Sequence, residues 1–442
     1  MPFKENYAVS SVLSCQLSLI LGAAQGFSGI LLPQLKESLQ INKDQFSWIA
    51  SLGIVFRPLG AIVEGYLVDK FGRKRTMQAV AFLFILSWAF TALASDVKFL
   101  YASRIFLGFT MGMVVCVGMY IAEITKPADR GTFLSLITPT INCGILMVYL
   151  LGYLFHWKIV ASILIVYSVI LFFALHYVPE SHIWYMIKNK RTKAANVLLS
   201  FRNDNVEAVN KELDQIKTKM SRYEEGRISF FLNFFKPAVW KPFVIFAVFS
   251  FFQQQSGYNV IIYYSVPFFS NLGSGIKDSY MLAIVFASIS IVGSVILVLI
   301  VHKFNRVTLL VMSGLGMSIT MGIGALSLTL SFLEPYKWIS VMCIFVYIFF
   351  CMLGMIDIPW MMIGEVFPNR MRGSMSAAIT VVIFFISFVN IKLYTTMDQH
   401  LGKAGVMWYF AVLSLITVIF AKIYFPETKG KALTEIEDNY NK

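Results

Sequence analysis

The sequence predicts an all-α polytopic membrane protein: twelve transmembrane helices in two six-helix repeats, with a central cytosolic helical loop. Three observations carry this. Hydrophobic residues make up 57% of the 442 and charged residues 14%, at a mean hydropathy of +0.70, far above the balance of soluble domains. Apolar runs of about 20 residues, long enough to cross a bilayer, recur about twelve times, from one centred near Ile20 to one near Leu415. Finally, three polar motifs of the first half come back in the same order roughly 240 residues further on.

The first span, Ala8 to Leu31, is rich in small residues (Gly22, Ala23, Ala24, Gly26, Ser28, Gly29) that let helices approach closely. It holds Gln25 but no carboxylate, and no small-residue cleavage pattern follows it, so it reads as a span and not a signal peptide. The second span, Trp48 to Val68, carries Arg57 and Glu64 on nearly one helical face, placed to pair with each other or with neighbours. It ends in GYLVDKFGRKR, Gly65 to Arg75, where glycines permit a tight turn and Arg73 and Lys74 anchor the cytosolic side. Arg104, Gly108 and Gly112 form one stripe on the fourth span, followed by YIAEITKPADRG, Tyr120 to Gly131, and VPES, Val178 to Ser181.

These motifs return in the second half. Val68-Asp69-Lys70-Phe71-Gly72-Arg73 reappears as Val301-His302-Lys303-Phe304-Asn305-Arg306. Glu123 with Arg130-Gly131 reappears as Glu365 with Arg372-Gly373, and Pro179-Glu180-Ser181 as Pro426-Glu427-Thr428. Two six-span halves of the same topology, with a site between them, account for this. The expected divisions are residues 1–180 for the first bundle, 181–241 for an amphipathic cytosolic linker, 242–426 for the second bundle and 427–442 for a cytosolic tail.

The seventh span differs from the rest. Phe251 to Ser265 reads FFQQQSGYNVIIYYS and sets Gln253, Gln254, Gln255, Ser256 and Asn259 in an apolar segment. Amides at membrane depth face a protein-lined cavity or bond to neighbouring helices. In an unbroken helix Gln254 and Asn259 point roughly 140° apart, so unwinding at Ser256-Gly257 is needed to turn both onto one ligand. Amides offer donors and acceptors together, which suits hydroxyl groups better than ions.

The net charge of +13 lies at particular turns, among them Lys70 to Arg75, Lys188 to Lys241 and Lys429 to Lys431. The positive-inside rule makes these cytosolic and, with an even span count, places both termini inside, so the basic patches reflect topology and not nucleic-acid binding. The five cysteines fall within spans and show no disulfide or metal spacing. There is no Walker A loop to support ATP-driven pumping and no nucleophile-base set to support an enzyme. No cofactor or metal is expected.

Taken together, GxxxDxxGRK at Gly65, RxxxGxxxG at Arg104, YxxEIxxxxxRG at Tyr120, PES at Pro179, QQxSGxN at Gln253, PWxxxxExFPxxxRG at Pro359 and PETKGxxLxEI at Pro426 resemble the sugar porter family of the major facilitator superfamily. The short tails and LLPQLKE at Leu31 are most similar to its insect facilitated trehalose transporter branch. The resemblance implies the major facilitator fold and facilitative transport of a sugar, trehalose or a hexose, by alternating access across the plasma membrane. On matching positions it implies that Gln253, Gln254 and Asn259 bind sugar hydroxyls, that Trp360 stacks on the ring, and that Tyr263 and Tyr264 close the outer gate. It further implies a cytosolic gating network of Asp69, Arg73, Glu123, Arg130, Glu365 and Arg372.

The chain also departs from the family. Thr138, still placed to bind substrate, replaces a glutamine; Ser290 replaces an asparagine; Ile383-Phe384 replaces Asn-Trp; Gly118 replaces a proline; SHIWY follows Glu180. Each lost amide removes about 0.5 to 1.5 kcal/mol of net hydrogen bonding. Asp357 stands where the family has a proline, as a proton carrier, a substrate ligand, the partner of a neighbouring arginine, or a cap of a broken helix. The first span lacks the aspartate that proton-coupled sugar porters carry, which favours uniport. Two other functions stay open: a non-transporting nutrient sensor, and a carrier of another organic solute coupled to protons.

Overall fold

The computed structural model describes residues 7–38, 41–126, 129–202, 206–224, 237–270, 272, 278–330, 336–367, 372–425 and 427. All regular structure among them is helical. Among the described residues, ten segments are long and apolar enough to cross a membrane. Two features relate that number to the twelve runs of the sequence. One segment, Met375–Tyr424, is 50 residues long, and at 1.5 Å per residue its length of about 75 Å is more than two bilayer cores. It turns at Gly402, whose φ of +66° is left-handed backbone, so it supplies the eleventh and twelfth spans. The seventh run is the other: it is divided into Pro237–Gln254, Tyr258–Tyr263 and Ser265–Ser270.

The chain groups into two compact units, each of which draws on separated stretches. The first comprises Met1–Ala24, Phe56–Gly144 and Lys158–Ile228. In it the small residues of the first span do what their size predicts. A methyl group on Gly22 would strike the carbonyl of Ile141, and one on Gly144 the carbonyl of Leu19, so the first and fifth spans pack backbone against backbone. Glu64 is buried but makes no ion pair among the described residues, so the Arg57–Glu64 pairing does not form. The linker folds as His182–Ile187, Arg191–Arg202 and Val206–Glu224, packed through Met186, Ala194, Leu198, Val209 and Leu213. Arg191 and Asp214 pair at 2.7 Å on its surface.

The second unit comprises Gln25–Val55, Ile145–Trp157 and Ser229–Lys442. Here ends of the first, second and fifth spans pack with the seventh and eleventh. Tyr149 donates to the carbonyl of Ile262 at 2.9 Å, and Phe46 stacks on Tyr264 at 5.8 Å. Lys392 pairs with Asp44 at 2.6 Å, donates to Ser47 at 2.7 Å, and lies 4.2 Å from the Trp48 ring.

The internal repeat is visible in the hydrogen bonds of each unit. In the first, the N–H groups of Arg73 and Lys74 donate to Glu180 at 2.8 and 3.1 Å, while the Arg73 guanidinium donates to the Val68 carbonyl at 3.3 Å. In the second, the N–H groups of Arg306 and Val307 donate to Glu427 at 3.0 and 3.1 Å, and the Arg306 guanidinium donates to the Val301 carbonyl at 2.9 Å. In each case a carboxylate caps the start of a helix, where free N–H groups and the helix dipole favour negative charge.

Candidate functional site

The interrupted seventh span is built by one glycine. Helix Pro237–Gln254 ends, Gly257 takes φ +102° and ψ −8°, and the chain re-enters helix at Tyr258. That left-handed conformation is open to glycine and strained for other residues. A Cβ there would also lie 2.5 Å from the Phe410 ring. Unwinding at this point turns Asn259 back onto Gln254, and the two side chains meet with Asn259 Nδ2 donating to Gln254 Oε1 at 2.6 Å. Gln254 Nε2 in turn donates to Gln253 Oε1 at 2.8 Å, and Asn259 Nδ2 also donates to Ser387 Oγ at 3.2 Å. Gln253, Gln254 and Asn259 therefore form one hydrogen-bonded string, with Asn259 only half-buried at its end, while Gln255 Oε1 accepts from the Tyr409 hydroxyl at 3.2 Å.

Some of these polar groups serve the backbone. The tenth span is also interrupted, by a π-turn over Cys351–Met355 that precedes helix Asp357–Val366. Gln253 Nε2 donates to the Met355 carbonyl at 3.1 Å, and Ser313 Oγ accepts from the Met355 N–H at 3.0 Å while donating to the Phe350 carbonyl at 2.6 Å. Tyr347 donates to the Ser256 carbonyl at 2.8 Å, and Asn390 donates to the Gln254 carbonyl. Each broken helix thus exposes carbonyls that the other spans satisfy, the condition for irregular backbone at membrane depth.

The remaining expected ligands are placed as follows. Trp360 is 41% exposed on helix Asp357–Val366, its ring 6.3 Å from that of Phe384, one of the two residues standing in place of Asn-Trp. Asp357 opens that helix and is half-buried. Tyr263 and Tyr264 are buried, and the Tyr264 hydroxyl donates to the Ile391 carbonyl at 3.1 Å. Ser290 turns its hydroxyl to the Phe286 carbonyl of its own helix at 2.9 Å. Thr138 belongs to the first unit, half-buried at the start of helix Ile137–Leu154.

The charged cluster lies in the first unit. Arg73 donates to Glu123 from Nε at 3.0 Å and from Nη2 at 2.7 Å, with Asp69 4.0 Å away at the exposed edge. Ser181 donates to the other oxygen of Glu123, and Trp184 donates to the Asp69 carbonyl at 3.2 Å. Burial pushes the Glu180 carboxyl above the usual carboxylate range, opposed by the N–H donors of Ser181, Lys74 and Arg73 and by the Arg73 charge. Arg130 is exposed and makes no ion pair among the described residues. The side chains of Glu365 and Arg372 lie outside the described residues. No group of three metal-ligating side chains occurs among the described residues.

Sequence reasoning missed Ser387 and Asn390 as partners of Asn259 and Gln254 and Tyr347 and Ser313 as partners of the two broken backbones, and left Glu180 and Ser181 as a repeat marker only. An asparagine in the apolar eleventh span was the signal available for Asn390.

Known proteins frame this geometry. The sequence profile of the sugar (and other) transporter family matches residues 17–440. A facilitated trehalose transporter homologue of Drosophila sechellia is 28% identical over 447 aligned positions, spanning 98% of this chain and 91% of that protein. Among solved structures, a partially occluded inward-open conformation of the xylose transporter XylE from E. coli superposes with a TM-score of 0.82 at 20% identity, over 97% of this chain and all of that one. The proton:xylose symporter bound to 6-bromo-6-deoxy-D-glucose superposes at 0.79 and 21% identity, over 98% of this chain and 99% of that one.

Proposed function

We propose that this chain, which belongs to the sugar (and other) transporter family, is a facilitative carrier of a neutral sugar, trehalose or a hexose. The observation that carries the reading is the string Gln253–Gln254–Asn259, assembled by the break at Gly257 and ending on the half-buried Asn259. Asn259 binds sugar hydroxyls by trading its bonds to Gln254 and Ser387 for bonds to substrate, at little change in hydrogen-bond count. Trp360 supplies an exposed ring for the apolar face of the sugar, and Thr138 is a further candidate ligand. The resemblance to a trehalose transporter homologue favours a disaccharide among the candidates.

The carrier works by alternating access of two six-span halves, residues 1–180 and 242–426, in the plasma membrane with both termini cytosolic. Arg73, Glu123 and Asp69, with Arg130 and the second-half pair Glu365 and Arg372, form its cytosolic gate; Tyr263 and Tyr264 belong to the outer one. The first span has no carboxylate, which supports uniport, and Asp357 serves as a helix N-terminal carboxylate, where the helix dipole favours it.

Equilibrium binding of labelled trehalose and glucose to the purified full-length protein tests the reading. Saturable binding, competed by unlabelled sugar, is expected, with the component held by the Gln254–Asn259 site lost in Asn259→Ala. Competition by organic cations but not by sugars would assign the site to another solute.

A further inference from the structure

The second unit contains a cavity of about 950 Å³ that none of the seventh-span amides lines. Its walls come from the far end of the same spans, with Phe46, Tyr264, Tyr280, Tyr394, Asp398 and Gln399 among them. Its size falls within the range of roughly 300 to 1,000 Å³ typical of small-molecule sites.

The chemistry of the wall is specific. Phe46 and Tyr264 stack at 5.8 Å and 21°, and Tyr264 meets Tyr394 at 4.7 Å and 40°; Tyr264 and Tyr394 are buried in this stack, and the half-buried rings of the lining are those of Phe46 and Tyr280. Its rim is polar and fixed. Lys403 holds Asp398 at 2.7 Å and donates to the Tyr394 hydroxyl at 2.6 Å, while Gln34 reaches the Tyr280 hydroxyl at 3.5 Å. Asp278 caps the eighth span by accepting from the Met281 N–H at 3.1 Å. Both carboxylates are therefore already matched, one by a lysine and one by a helix N-terminus, and Lys43 adds a further positive charge to the lining. What remains on offer is an aromatic face with hydroxyl, amide and carboxylate groups at its edge, an arrangement that suits a neutral polyol with one apolar ring face.

We propose that this cavity is a second saccharide-binding site, separate from the Gln254–Asn259 site. The assignment rests on the sugar-carrier reading for its ligand class. On the orientation proposed above it opens to the outside, so it captures sugar while Tyr264 remains packed against Phe46 and Tyr394.

Stoichiometry tests this. Labelled trehalose and glucose are titrated into the purified full-length protein. For whichever sugar binds, two sites are expected in the unmodified protein, one in Asn259→Ala, one in Thr395→Trp, which fills the cavity from its lining, and none in the double variant. Gln399→Trp, at an exposed lining position, replaces Thr395→Trp if the latter does not elute as a monodisperse protein. A single site in the unmodified protein, abolished by Asn259→Ala, overturns the second site and leaves the carrier reading intact. Counterflow of neither sugar, from folded protein, overturns the carrier reading itself.

Discussion

Gly257 is the residue on which the amide site depends. An alanine there must hold φ near +102° and place a methyl 2.5 Å from the Phe410 ring. The φ penalty alone is about 1 kcal/mol or more. Gly257→Ala is expected to lower thermal stability and to weaken sugar binding, and Phe410→Leu added to it to recover part of the stability, since the leucine relieves the clash but not the dihedral. Full recovery would assign the cost to packing and remove the argument for a required left-handed turn. Glu180 offers a second test at this scale. Its folded pKa lies above the unfolded value, so the favourable contribution is fully present below the unfolded pKa and is lost as pH rises through the folded one. The melting temperature of the unmodified protein relative to Glu180→Gln should therefore rise when pH is lowered from about 7 to about 5. A fall over that window would mean that the N–H donors of Arg73, Lys74 and Ser181 outweigh burial.

At the scale of elements, the two interrupted spans depend on each other. Gln253 and Ser313 serve the backbone of the tenth, and Tyr347 and Asn390 serve that of the seventh. Asn390→Leu would leave the Gln254 carbonyl without this donor at a cost of about 1 to 3 kcal/mol, and is expected to reduce both melting temperature and sugar affinity, because Gln254 is displaced. An unchanged affinity would show that the amide string is held by Asn259 and Gln253 alone. The Lys392–Asp44 contact is different in kind. Asp44 is largely exposed, its side chain at 74%, so solvent screens the pair, and a double-mutant cycle with Lys392→Met and Asp44→Asn is expected to give a coupling of about 1 kcal/mol or less. Trp48→Ala should cost more than either, as it removes both the cation–π contact and the Phe388 packing.

For the whole molecule, the sequence carried the all-helical membrane fold well because bilayer physics is one-dimensional: apolar length counts spans. The break at Ser256-Gly257 was legible too, since a glycine beside clustered amides in an apolar run marks a point where the helix can unwind around a polar site. The division of labour among those amides was not. Whether Gln253 binds substrate or the Met355 carbonyl depends on a π-turn in another span about a hundred residues away, and no pattern within the seventh announces it. The cavity walled by Phe46, Tyr264 and Tyr394 was equally hidden, because its residues come from separate spans, and the expected gate role of Tyr264 gave no sign of its partners Phe46 and Tyr394.

The central claim is that the broken seventh span makes this chain a sugar carrier, and counterflow in proteoliposomes tests it most directly. Vesicles holding the purified protein are preloaded with unlabelled trehalose or glucose, and labelled sugar is added outside with no ion gradient. Transient accumulation of label that disappears in Asn259→Ala is the predicted result. No counterflow of either sugar, or counterflow that Asn259→Ala leaves unchanged, would contradict it.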